Sequence, residues 1–397
     1  MSLKRQLLVS FALQGAGAAA VLLATLLLGA RLGPEVQGGF SGIKAEVEFV
    51  AAFAMFGLPQ ALFFYVKSGA MSGRTALRWA LVCALLALPV AAGYALWRHA
   101  GADAATIALL SVAVAAAVAH GQLRALLLVR ERTVWFNVIT ALPQLLVLLG
   151  VVHIVASGAV RTPAWFALFA LAFGVAAVIS WARLRSVPEA PPTAARVGWR
   201  ALGHYGLAAW LTAALATAAI LLVQHWVEAG QGRAALGQFT MAMTLVQVPL
   251  TPISYAAPLL LRRWMEQPGA QASRRVAGAV FALLIAVAAL AWVVAGAWPD
   301  LGLGPAYSGA TRALAVLLAG GAAEAASRVL TVQASATGLP WIAVRAEAAR
   351  WAVLALGWLA LPAPALLPVC VVWAVGAWAA ALVFVASAPA DALRVAS

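Results

Sequence analysis

Lys44, Glu46 and Glu48 interrupt the otherwise apolar run GFSGIKAEVEFVAAFAMFGLPQALFFYV. A charge inside a bilayer costs roughly 2.5–3.5 kcal/mol on insertion scales, so such residues pair with one another or line a polar path. Their chemistry is therefore binding and charge compensation. At ~100° per residue Lys44 and Glu48 share one helix face, whereas Glu46 points about 200° away from Lys44. Lys44 and Glu48 are expected to be polar members of a transport site, or else to neutralise each other one turn apart. Glu46 is expected to be held by a partner on a neighbouring helix.

A second set of residues carries no charge. Thr240, Thr244, Gln247, Thr251 and Ser254 follow one another at steps of four, three, four and three, with Tyr255 beside them. That spacing makes one polar stripe down a helix, suited to water or a hydroxyl-rich ligand. The alternative is interhelical hydrogen bonding, worth ~0.6–2 kcal/mol per contact in membranes. His120 and Arg124 are one turn apart in VAHGQLRALLL, as are Glu324 and Arg328 in AAEAASRVLTV. Glu324 and Arg328 either form an intrahelical ion pair, or Arg124 and Arg328 offer their forked donors to an anionic head group. The candidate substrate-binding residues are thus Lys44, Glu48, Arg124, Thr240, Thr244, Gln247, Thr251 and Arg328.

Other chemistries have no support in the residues. The five histidines (His99, His120, His153, His204 and His225) are scattered without metal-ligand spacing, and Cys83 and Cys370 fall in apolar segments. There is no GxxxxGK[ST] motif for nucleotide phosphates, and the loops near Arg161, Glu228 and Asp300 are too short for a catalytic domain. No metal, cofactor or catalytic residue is expected, and the chain reads as a non-enzyme.

The elements that must position these residues follow from composition. The chain of 397 residues is 65% hydrophobic and 10% charged, with a mean hydropathy of +0.97. That is far more apolar than the ~45–50% of soluble domains, and it marks an all-α polytopic membrane protein. Apolar segments fall at about residues 6–28, 36–65, 76–97, 106–129, 134–155 and 164–182, then at about 202–227, 234–261, 276–298, 312–336, 341–361 and 365–386. Each is near the ~20 residues that a ~30 Å hydrocarbon core requires, which predicts twelve transmembrane helices. Pro59, Pro249, Pro252 and Pro258 are candidate bending points in the second and eighth.

The joints between segments alternate in basic charge. Lys44 aside, 20 Lys and Arg fall on one side and 5 (Arg31, Arg98, Arg161, Arg233 and Arg312) on the other. The positive-inside rule places the richer side, with both termini, in the cytoplasm. The net charge of +14 is spread over these joints rather than gathered on one face, so nucleic acid is not an expected partner. The opening MSLKRQLLVSFALQ reads as a retained first helix.

The segment RLRSVPEAPPTAARVGWR divides the chain into an N-terminal lobe (1–184), a cytoplasmic linker (185–200) and a C-terminal lobe (201–397). Displacing the first half by 199 residues brings Gly38 onto Gly237, Phe40 onto Phe239, Val47 onto Val246, Pro59 onto Pro258 and Leu62 onto Leu261. Thr240 then falls on Ser41 and Gln247 on Glu48. Six spans per half would give two pseudo-symmetric six-helix lobes in parallel repeat, an arrangement with its substrate site at the lobe interface.

The run Leu28-Gly29-Ala30-Arg31-Leu32-Gly33-Pro34-Glu35, with Gly38-Gly39-Phe40 and Gly57-Leu58-Pro59-Gln60-Ala61-Leu62, resembles the first two helices of bacterial oligosaccharide flippases. Ala235-Leu236-Gly237-Gln238-Phe239-Thr240-Met241-Ala242 and Pro258-Leu259-Leu260-Leu261 echo it in the second half. These flippases are the Wzx-type O-antigen and polysaccharide exporters of the multidrug/oligosaccharidyl-lipid/polysaccharide superfamily. The resemblance implies a MATE-like fold with a cavity lined by the first, second, seventh and eighth helices. It also implies transfer of polyprenyl-pyrophosphate-linked oligosaccharide across the bacterial inner membrane. Membrane lipids, a polysaccharide polymerase and glycosyltransferases would then be partners. One departure is Gln224-His225, which stands where such proteins often carry an acidic-basic pair. The alternatives are a multidrug or cation antiporter of the same superfamily, using Glu46 and Glu48, and an integral-membrane glycosyltransferase or polymerase. The lack of an aromatic cage on the cavity helices counts against the antiporter.

Overall fold

The computed structural model describes residues 3–129, 133–158, 160–185, 199–266, 270–337, 339–362 and 364–392. Among them the regular structure is helical: α1 (Leu3–Ala54), α2 (Leu58–Lys67), α3 (Gly73–Arg98), α4 (Ala104–Val129), α5 (Thr133–Ser157), α6 (Thr162–Arg185), α7 (Trp199–Glu266), α8 (Ala270–Val294), α9 (Ala310–Ala336), α10 (Trp341–Ala360) and α11 (Leu366–Ala392). Starts are set locally. Ser72 Oγ accepts from the Thr75 amide at 3.2 Å before α3, and Asp103 Oδ1 from the Thr106 amide at 2.9 Å before α4.

Nine helices among the described residues are long and apolar enough to cross a membrane, so the chain is a multi-pass membrane protein. Two of the nine, α1 and α7, turn at a glycine: Gly33 (φ 80°, ψ 173°) and Gly232 (φ 80°, ψ −179°). A β-carbon disfavours this backbone, and the two glycines are related by the same displacement of 199 that the sequence shows. Gly29 and Gln37 would be about 12 Å apart along a straight helix. A β-carbon at Gly29 would nevertheless lie 2.8 Å from Gln37 Oε1, so the arms of α1 double back. Taking the arms separately, and adding α10 with its 20 residues, accounts for the twelve expected segments.

The bends are not where the prolines predict them. α7 runs helical through Pro249, Pro252 and Pro258. Proline holds φ near −65°, which suits a helix and forbids the positive φ of the actual turns. Pro59 is the exception, standing at the start of α2 after a break at Met55–Gly57.

Packing follows membrane rules. α3 buries Ala76, Ala80, Cys83, Ala87, Ala91 and Ala95, one small residue per turn, which lets neighbouring backbones approach. Leu85, Leu149, Leu171 and Leu359 are turned outward instead. Large apolar side chains on the outside and alanines inside suit a lipid solvent.

The contacts divide the chain into two compact units, Met1–Ala24 with Gly42–Ala218, and Thr25–Ser41 with Ala219–Ser397. These differ from the lobes expected on either side of the linker, most of which lies outside the described residues. Residues 199–218 join the first unit because Trp210 Nε1 donates to Phe53 O at 2.7 Å and Tyr205 stacks on Phe64 at 4.9 Å. Residues 25–41 join the second through Gln37, fully buried, whose Nε2 donates to Gly237 O at 3.2 Å and whose Oε1 accepts from the Tyr307 hydroxyl at 2.5 Å.

Candidate functional site: charged and polar clusters within the helices

In the first unit, Lys44 Nζ lies 2.7 Å from Glu48 Oε1, and the two side chains are 39% and 48% exposed. The one-turn pairing read from the sequence is thus present. Glu46 points elsewhere, as the helical angle requires. Its side chain is 9% exposed, with Oε2 3.0 Å from His99 Nε2 and Oε1 3.6 Å from Arg98 Nε, both at the end of α3.

Arg124, on α4, lays its guanidinium 5.6 Å from the centre of the Phe136 ring. One turn back, the buried His120 Nε2 lies 3.0 Å from Ile139 O. A neutral cluster that the sequence reading missed sits between α1 and α5. There Gln14 Nε2 donates to Asn137 Oδ1, and Asn137 Nδ2 donates to Ser10 Oγ at 2.7 Å. The four-residue step from Ser10 to Gln14 was its one visible signal.

In the second unit Arg328 is the centre. Its Nη1 donates to Ser254 Oγ at 2.7 Å, its Nη2 to Gln247 Oε1 at 3.3 Å and its Nε to Glu324 Oε1 at 3.3 Å. Glu324 Oε2 accepts from Arg350 Nη2 as well, and Arg350 Nη1 stands 3.4 Å from Glu347 Oε2. That last contact is an ion pair without hydrogen-bond geometry, since Glu347 Oε2 has no hydrogen-bond partner among the described residues. Glu324 and Arg328 are therefore ion-paired, within a neutral chain of two carboxylates and two guanidiniums. The positive-inside count assigned Arg350 to a cytoplasmic joint, but its side chain is 3% exposed inside α10. The i,i+3 spacing of Glu347 and Arg350 was legible; their burial was not.

The stripe on α7 keeps its register and is largely self-satisfied. Thr244 Oγ1 donates to Thr240 O at 2.8 Å and Thr251 Oγ1 to Gln247 O at 2.6 Å, one turn back in each case. Thr240 is buried, donates to Gly237 O at 3.2 Å and accepts from Gln37 Nε2 at 3.5 Å. Gln247 and Ser254 are committed to α9 through Arg328, and Thr240 to α1 through Gln37. Lys44, Glu48 and Arg124 lie in the first unit, and Thr240, Thr244, Gln247, Thr251 and Arg328 in the second. Among the described residues no three His, Cys, Asp or Glu side chains come together as metal ligands.

The structure adds an aromatic cluster that the sequence reading did not single out. Phe49, Phe53 and Phe56 follow one another near the end of α1, and Trp210 of α7 meets Phe53 at 5.2 Å and Phe56 at 6.1 Å between ring centres. Tyr94 joins Phe49 at 6.2 Å. The steps of four and three were visible in the sequence. Trp210, 157 positions from Phe53, was not a foreseeable partner.

No family model and no curated protein sequence matches the chain. Solved structures do. An inward-facing multidrug resistance MATE family transporter of the MOP superfamily is 15% identical, with 92% of each chain covered and a TM-score of 0.67. A MOP superfamily transporter from Pyrococcus furiosus, described as having a binding pocket of reversed polarity that suggests a different function, is also 15% identical. It covers 96% of this chain and 92% of its own, at a TM-score of 0.67. A variant of the Vibrio cholerae MATE transporter VcmN is 16% identical over 96% of both chains, at 0.65. Across so low an identity the likeness is one of fold: the chain has the helical architecture of MATE transporters.

Proposed function

We propose that this chain is a transporter of the bacterial inner membrane, with both termini in the cytoplasm, that moves a polyprenyl-pyrophosphate-linked oligosaccharide between leaflets. The observation that carries the reading is the state of four of its helix-borne carboxylates. Glu46, Glu48, Glu324 and Glu347 each have an arginine or lysine within 4 Å in their own unit. A cation–proton exchanger needs a carboxylate able to trade its counter-ion for cargo, and at Glu46, Glu324 and Glu347 each trade would strand an arginine or histidine. An anionic, hydroxyl-rich cargo makes no such demand. Arg124, whose guanidinium lies beside the Phe136 ring in the first unit, is of a type that suits a pyrophosphate. A polymerase and glycosyltransferases of surface-glycan assembly would be its partners.

A multidrug or cation antiporter is the second reading. The MATE fold, shared with multidrug transporters, supports it more directly than it supports the glycan reading. Deletion of the gene separates the two. Accumulation of a lipid-linked glycan intermediate, reversed by the wild-type gene, is the expected result. An unchanged lipid-linked pool together with lost efflux of cationic dyes would establish the antiporter instead.

A further inference from the structure

We propose that the break between α1 and α2 is a two-position hinge, latched here in a bent position by Cys83, Gln122 and Trp210, with a second position in which α1 runs straight into α2. The proposal rests on the transporter reading only in assigning that motion to a transport cycle. The hinge itself follows from geometry within the first unit.

The break is a reverse turn built from ill-suited residues. α1 ends at Ala54 and α2 begins at Leu58, and the Leu58 amide donates to Met55 O at 3.0 Å across Phe56 (φ 49°) and Gly57 (φ 64°). Two successive left-handed residues are usually Asn, Asp or Gly. The β-carbon of Phe56 crowds this conformation, and strain of that kind gathers at switch regions. The bent position also leaves Gln122 Oε1, on a fully buried residue, with no hydrogen-bond partner among the described residues. Two costs of different origin therefore fall on one turn.

The carbonyls of the break define the second position. In a continuous helix the Gly57 amide would donate to Phe53 O and the Leu58 amide to Ala54 O, four residues back. Those are two carbonyls that neighbouring helices now take: Trp210 Nε1 of α7 donates to Phe53 O at 2.7 Å and Cys83 Sγ of α3 to Ala54 O at 3.1 Å. Met55 O would gain no helical donor, because Pro59 lacks an N–H. Gln122 Nε2 of α4, which reaches Met55 O at 3.4 Å, can serve it in either position. Pro59 would lie inside the straight helix at a cost of the same order as the strain at Phe56, so neither position dominates on backbone terms. Side-chain bonds and a close seat on α7 secure the bent one: a β-carbon at Gly57 would stand 2.0 Å from Gly206 O. Straightening changes the angle between α2 and the stretch of α1 that carries Lys44 and Glu48.

Spin labels on Ile43→Cys and Ser68→Cys, on either side of the break, report its position in the purified full-length protein through their distance distribution. Cys83 and Cys370 are buried and stay unlabelled. A straight helix separates the two sites by about 37 Å, and the bent position by less. The labelled parent should show both populations, the shorter in excess. Phe56→Gly and Phe56→Ala both lose the ring, but only glycine escapes the left-handed penalty. The ratio of bent to straight should therefore be about tenfold higher in Phe56→Gly than in Phe56→Ala. Pro59→Ala removes the obstacle to the straight helix and should lower the parent's ratio about tenfold. A single distance in the parent, equal ratios in Phe56→Gly and Phe56→Ala, or an unchanged ratio in Pro59→Ala would overturn the hinge. These measurements need no cargo, so the export and dye-efflux assays judge the transporter reading separately.

Discussion

Glu46 and Glu48 are two positions apart on one helix and do opposite things. The ~100° step turns Glu46 into the contact with α3, where it is buried beside His99 and Arg98, and leaves Glu48 open with Lys44. Removing one partner of a buried ion pair typically costs ~3–5 kcal/mol, and the partial exposure of Arg98 and His99 puts Glu46→Ala at or below the low end of that range. Lys44→Ala disrupts only an open pair and should cost less than about 1 kcal/mol. Membrane abundance and melting temperature of the two variants provide the check. Glu46→Ala should fall in both while Lys44→Ala holds, and equal losses would refute the division. The angle between the two carboxylates could be read from the sequence, whereas the identity of Glu46's partners required α3 to be placed.

At the scale of elements, the repeated glycines of α1 and α7 form a reciprocal contact. A β-carbon on Gly38 would stand 2.4 Å from Arg233 O, and one on Gly237 would stand 2.0 Å from Pro34 O. Displacing Gly38 and Pro34 by 199 residues gives Gly237 and Arg233, so each glycine meets the counterpart of what the other meets. The two doubled-back helices cross by backbone at this point, and only hydrogen fits. Gly237→Ala must push the helices apart and should lower the melting temperature by several degrees, on the ~1–3 kcal/mol scale of overpacking. Gly39→Ala, one position from Gly38 with nothing within 4 Å of its added carbon, should leave it level or slightly raise it. A melting temperature for Gly237→Ala that matches wild type would mean that the crossing is looser than described.

For the whole molecule the testable statement is orientation. Arg233, 63% exposed at the turn of α7, is expected outside, and Arg274, at the start of α8, in the cytoplasm. A cysteine at each, labelled in intact cells by an impermeant thiol reagent, should react at 233 and stay silent at 274. Cys83 and Cys370 are buried and should contribute no background. The reverse pattern would invert the protein and place its termini outside. Burial of Arg350 within α10 takes one charge from the cytoplasmic tally and leaves the asymmetry intact.

The sequence by itself determined the twelve apolar segments, the one-turn spacing that sets Lys44 beside Glu48 and Glu324 beside Arg328, and the 199-residue repeat that Gly33 and Gly232 realise as matched turns. Each depends on local quantities: the length of a hydrocarbon core, the cost of a charge within it, and the pitch of a helix. Only the tertiary structure decided that residues 25–41 and 199–218 each join the other unit, that Arg350 closes the charge chain on Glu324, and that Trp210 packs against Phe53 and Phe56. Those facts depend on which helix lies against which. In a membrane that choice is made by small-residue contacts and single hydrogen bonds between distant segments, because apolar surface is equally at home against lipid or another helix.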